Sequence, residues 1–177
     1  MVLSKESSSV LFHLLIVNEL KKEYAQKIIT SQYFINARSQ AHHPNTTVAS
    51  HTLGVVAVSL RLFYALEKLR INIDKEALTK AALCHDLGIV GRYDKFKNDF
   101  ICCQRHPVDS VSVAKSIFPD IDKKTIDCIK NHMFPLTPIP PCCIEGILIN
   151  FADKYCTFIE TFLGKNTYPG KSYIDEV

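Results

Sequence analysis

The 177-residue sequence contains no tryptophan and only 6 glycines. It also lacks any C-x-x-C spacing, any Asn-Gly or Asp-Gly dipeptide, and any apolar run near the ~20 residues of a membrane span. Without the two-residue cysteine gap, neither a zinc ribbon nor a thioredoxin-like redox site has support. Without hairpin dipeptides or sustained apolar alternation, strands are not indicated. Lys plus Arg is 21 against 18 for Asp plus Glu, a net of +3, so the concentrated basic face of a dedicated nucleic-acid binder is missing. The remaining composition is ordinary for a globular chain, 47% hydrophobic and 22% charged, in a length suited to one domain.

What is present in quantity is cysteine and histidine, seven of each. The cysteines are odd in number and include two adjacent pairs, Cys102-Cys103 and Cys142-Cys143. They read as buried thiols of a reduced, cytoplasmic protein rather than a disulfide framework. The apolar stretch 10–17 runs into a charged segment with no small-residue cleavage site, so it reads as a first helix capped by serines 7–9, not as a signal peptide. A membrane partner is not expected.

Helical periodicity dominates the remainder. A short helical piece carries Tyr33 and Phe34, and the loop 41–45 breaks at Pro44. Thr46 or Thr47 caps a helix over about 48–69, Asp74 caps one ending at Gly88, and Asp122 caps one reaching His132. Residues 88–106 read as a long charged connection, with Pro107 in the first turn of a helix through Phe118. A last helix over about 143–163 has Ile144, Ile147, Leu148, Phe151, Tyr155, Phe158 and Ile159 as its apolar stripe. The expectation is one all-α domain: an N-terminal helix in 1–30, a core over 33–162 and a polar tail over 164–177.

His51, His85-Asp86, His106, His132 and Asp153 fall on or at the ends of these helices. Mixed imidazole and carboxylate donors from several helices suit a transition-metal site in a bundle. Asp153 sits among Phe151, Ala152, Tyr155 and Cys156, where an unpaired carboxylate would cost several kcal/mol. Lys154 or Arg61 could offset that charge as well as a metal could. Spacing alone therefore leaves a metal site and ordinary hydrogen-bonded histidines both open. His13 reads as a first-helix packing residue and His42-His43 as part of a surface loop.

The order His51, His85-Asp86, Asp153 resembles the H…HD…D pattern of the HD superfamily of metal-dependent phosphohydrolases. The flanks Ser50-His51-Thr52-Leu53-Gly54-Val55, Ala81-Ala82-Leu83-Cys84-His85-Asp86-Leu87-Gly88 and Asn150-Phe151-Ala152-Asp153-Lys154 are similar to the family's three motifs. Residues 132–141 (HMFPLTPIPP) with Ala152-Asp153-Lys154-Tyr155-Cys156 look like a group of small bacterial HD-domain proteins. The likeness spans about 33–162.

This resemblance implies an all-α HD-domain bundle with a metal site between helices. His51, His85, Asp86 and Asp153 would hold one divalent ion (Mn, Fe, Mg, Co, Ni or Zn). His106 and His132 would add a second, with Asp86 bridging and serving catalysis. It implies hydrolysis of a small phosphoester, a nucleotide as the class expectation. Lys154 and Arg92, or Lys95 or Lys97 from the long loop, would take the phosphate charge. The Gly-Tyr-Pro signature and the lysine soon after the HD pair, common in the cyclic-dinucleotide branch, are missing, as are the flanks of the alarmone hydrolases' last aspartate. Di-iron oxygenases of the HD type use the same ligand order, and a regulatory nucleotide-binding module is a third reading. A homo-oligomer through the apolar first helix is conceivable but unsupported by any motif.

Overall fold

Side-chain caps set the starts of five helices. Ser31 Oγ accepts from Phe34 N–H, Thr47 Oγ1 from Ser50, Asp74 Oδ1 from Ala77, Asn98 Oδ1 from Ile101 and Asp122 Oδ1 from Thr125, at 2.8–3.3 Å. Each satisfies a donor that the first helical turn leaves orphaned, and such caps are worth about 0.5–2 kcal/mol. The computed structural model describes residues 5–165. Among them are nine α-helices, one 3-10 turn and no strand, only a bridge between Ala41 and Thr47. The all-α expectation holds.

The helices are α1 (Lys5–Leu20), α2 (Glu23–Ile29), α3 (Gln32–Ala37), α4 (Val48–Glu67), α5 (Lys75–Cys84), α6 (Arg92–Lys95), α7 (Asp99–Ile117), α8 (Lys123–Lys130) and α9 (Ile144–Phe162). The N-terminal region expected as one helix is two, broken at Lys21-Lys22, and Ser7 to Ser9 lie inside α1 rather than capping it. From residue 166 onward, the expected polar tail lies outside the described residues.

Helix α4 runs through the centre, packed on α5 and α9. It buries Leu53, Val55, Val56, Leu60 and Phe63 around most of its circumference, which is why its sequence is apolar enough to pass as a membrane span. Helix α5 packs against α8, α2 and α9, and its buried face is Ala77, Leu78, Ala81, Ala82 and Leu83. Small residues there let the chain carrying His85 approach its neighbours closely.

Residues 88–106 are not an open connection. The 3-10 turn Leu87–Ile89 and α6 occupy most of the first part, and α7 already starts at Asp99 under the Asn98 cap. Pro107 is therefore interior to α7 and not in its first turn, and it has no N–H to give to the helical hydrogen-bond ladder. The buried face of α7 begins at Cys102 and continues through His106, Ser110, Val111, Ala114 and Ile117, the 3.6-residue period that the charged flanks obscure.

Gly88 is not a helix-ending left-handed glycine either, because α5 stops at Cys84. A Cβ on Gly88 would stand 2.3 Å from Ser110 N and 2.6 Å from His106 O. The turn after the HD pair thus lies against the backbone of α7, with Gly88 N–H donating to Ser110 Oγ (2.9 Å). This contact sets His106 beside Asp86.

Four of the seven residues expected as the apolar stripe of α9 face outward instead. Ile147, Phe151, Tyr155 and Phe158 are 46–56% exposed, while Leu148, Ile149, Ala152, Asp153, Cys156 and Glu160 are buried. The helix turns its small and acidic residues inward because that face meets α4 and the histidines.

Candidate metal centre

Each expected site residue is delivered by a different stretch of the bundle. His51 lies in the second turn of α4, His85 is the C-cap of α5 and Asp86 follows it. His106 is mid-α7, His132 lies just past the α8 C-cap Asn131, and Asp153 is mid-α9. All six are buried, and the structure brings them to one point.

Asp86 is the centre of the arrangement, and its two oxygens face different partners. Oδ2 lies 3.4 Å from His85 Nε2 and 3.8 Å from His51 Nε2. Oδ1 lies 3.1 Å from His106 Nε2 and 3.5 Å from His132 Nε2. Asp153 Oδ1 joins the Oδ2 side, 3.1 Å from His51 Nε2 and 3.8 Å from His85 Nε2. Two donor groups result, His51/His85/Asp86/Asp153 and Asp86/His106/His132, each with its donor atoms within 4.8 Å of one another.

The rings are oriented by bonds on their far sides. His85 Nδ1 donates to Ala82 O (2.8 Å), His106 Nδ1 to Cys102 O (2.9 Å) and His132 Nδ1 to Ile129 O (2.7 Å). A carbonyl only accepts, so each Nδ1 carries a proton, and Nε2 is the atom that each ring turns toward Asp86. His51 is held by Glu160, whose Oε2 is 2.8 Å from Nδ1. This is the usual support of a metal-bound imidazole.

Electrostatics show what the pocket demands. Lone pairs converging on two carboxylates repel unless positive charge stands between them, and His85 Nε2 is fully buried with no hydrogen-bond partner. Burial opposes protonation of His106, but Asp86 and the Cys102 carbonyl outweigh it and push its pKa up to about 10. Burial opposes it at His51 too, where Asp153 and Glu160 prevail and the pKa again reaches about 10. At His85 burial wins, and the pKa falls to about 4. The donor set asks for cations, and one or two divalent ions fit its chemistry.

A cavity of about 350 Å³ opens beside the two aspartates, walled by Ile89, Met133 and Leu136. Lys154 and Arg92 both line it. Lys154 Nζ donates to His132 O (3.0 Å) and lies 3.8 Å from Asp153 Oδ2; burial lowers its pKa. Arg92 pairs with Asp99, so part of its charge is already matched. Lys95 and Lys97 do not line the cavity: Lys95 Nζ donates to Gly88 O (3.2 Å), and Lys97 is exposed.

Sequence reasoning missed three residues here. The loop holding His42 and His43 exposes Ala41, Pro44 and Asn45 but turns both histidine rings inward: the His42 side chain is only 8% exposed, its Nε2 is 3.4 Å from Asp86 Oδ2, and both rings line the cavity. Their signal was position, a histidine pair just before the Thr47 cap of the helix that carries His51. Glu160 is the third, placed two helical turns after Asp153 on the same buried face. A carboxylate on the inner face of an apolar helix was a readable sign of a buried partner.

No curated protein and no solved structure matches the chain. The model of one family, the HD domain, matches residues 48–157, more than half of the chain, and this span includes His51, His85-Asp86, His106, His132 and Asp153. The chain therefore belongs to the HD-domain family.

Proposed function

We propose that this HD-domain protein is a metal-dependent phosphohydrolase that cleaves a small phosphoester, with a nucleotide as the class, at a dinuclear His/Asp centre. The division of the Asp86 oxygens between two inward-facing histidine sets carries this reading. A single-ion site would leave the His106–His132 pair, with Nε2 atoms 3.0 Å apart, held together by a proton alone. Divalent ions in such a centre supply an acidified water and polarise the phosphoryl oxygens.

The chain's own residues divide the other tasks. Asp86 joins the two donor groups, and His51, His85 and Asp153 complete the first of them. Lys154, held beside Asp153 at the cavity wall, balances phosphate charge next to the reacting centre, and Arg92, also in the lining, adds to it. Ile89, Met133 and Leu136 give the cavity an apolar side suited to a base or other flat apolar group and keep bulk water from it.

The test is metal analysis of protein purified without chelators, beside a His85→Ala/Asp86→Ala double variant. About two divalent ions per chain in the wild type, nearly none in the variant, and anaerobic phosphate release from a phosphoester panel only in the wild type are expected. Unchanged metal content in the variant overturns the site. Oxygen consumption with an iron pair in place of phosphate release would mark an oxygenase instead.

A further inference from the structure

Resting on that dinuclear reading, we propose that His42 is a further protein ligand of the first metal group, joining His51, His85, Asp86 and Asp153. Its Nε2 stands 3.4 Å from Asp86 Oδ2, the same distance as His85 Nε2 and closer than His51 Nε2 at 3.8 Å. Three imidazoles thus address one carboxylate oxygen.

The local chain is built to hold the ring there. Residues 40–48 close on themselves: His42 N–H donates to Thr46 O (3.1 Å), Thr46 N–H to His43 O (3.1 Å) and Val48 N–H to Gln40 O (2.9 Å). Asn45 takes the left-handed backbone conformation that this turn needs (φ 68°). Because Thr47 then caps α4, the turn and His51 are one rigid unit, and the His42 and His51 ring centroids lie 4.6 Å apart.

The second ring nitrogen sets His42 apart from the other rings, and its Nε2 contact with Asp86 Oδ2 carries the assignment. In His85, His106 and His132 the Nδ1 is spent on a backbone carbonyl. In His42 it is buried with no hydrogen-bond partner, so the fold makes no use of that nitrogen. His43, also lining the cavity and within 4.8 Å of His42 and His51 through its donor atom, supplies the control.

The experiment is cobalt(II) titration of metal-free full-length wild type, His42→Ala, His42→Phe and His43→Ala, followed by visible ligand-field absorption, with circular dichroism to verify folding. The expected result is two equivalents in the wild type. One of them weakens about 10-fold or more, with an altered spectrum, in both His42 variants, and His43→Ala remains wild-type. The Phe variant retains ring volume should Ala disturb the turn. Two wild-type-like equivalents in a folded His42 variant overturn the proposal and leave the dinuclear reading standing. A third equivalent lost equally in His42→Ala and His43→Ala overturns it in favour of a separate three-histidine ion. A wild type that takes up no cobalt overturns both readings.

Discussion

The Nε2 atoms of His106 and His132 lie 3.0 Å apart, although the Nδ1 of each is already committed to a backbone carbonyl. Two such nitrogens cannot both stay bare at that distance. A proton shared with Asp86 or a metal ion must lie among them. His132→Ala is therefore expected to remove one of two bound ions and leave the group around His51 loaded. Metal-to-protein ratios by mass spectrometry check it, and an occupancy of one that does not change would rule out the dinuclear centre.

Glu160 is expected to act through His51. Its carboxylate accepts from Nδ1 at 2.8 Å in a fully buried position, which aims Nε2 at Asp153 and Asp86 and raises its basicity. Glu160→Gln retains an acceptor but loses the charge, so affinity at the first group should fall roughly 10–100-fold with the fold intact. Competition with a chromophoric chelator measures this. Equal affinities would reduce Glu160 to a packing role.

Gly88→Ala should destabilise the protein and disturb the centre together. The new Cβ would meet the α7 backbone at 2.3–2.7 Å, where no flexible side chain can yield. Overpacking of this kind costs about 1–3 kcal/mol, and each kcal/mol lowers Tm by roughly 2–4 °C at this size. Because the contact is with His106 O and Ser110 N, ion uptake at the second group should weaken more than at the first. A Tm and metal content equal to wild type would refute the close-approach account.

The two faces of α9 should respond in opposite ways. Ile149→Ala removes a fully buried side chain and should cost about 2–5 kcal/mol. Phe151→Ala and Phe158→Ala, on the exposed side, should stay within about 0.5 kcal/mol of wild type. Urea midpoints distinguish the cases; a large loss at Phe151 would mean that this face is covered.

The legible parts were local ones. Asp74 and Asp122 were readable as caps, and Thr46 or Thr47 as a third that the structure assigns to Thr47, because an N-cap is a bond between a side chain and an amide three residues on. The all-α class followed from periodicity, and the ordered His51, His85-Asp86, Asp153 series could be seen without coordinates. The α7 start was hidden because Pro107 imitates a first-turn proline and the Asn98 cap sits inside a charged run. The α9 face was misread because hydrophobicity says which residues favour burial, not which face a crowded bundle has room to bury. Phe and Tyr are too large for the side that must meet α4 and the histidines.

By itself, then, the sequence determined the all-α class, several helix caps and the six candidate donors that the resemblance marks. Those properties depend on neighbours within a turn or two of chain or on residue order. Only the tertiary structure decided that one oxygen of Asp86 faces His51 and His85 while the other faces His106 and His132. It also moved His42 from an apparent surface loop to the same carboxylate and placed Glu160 behind His51. The reason is geometric. A donor's role depends on the direction of a lone pair to within a few tenths of an ångström, and that direction is set by packed helices remote in sequence.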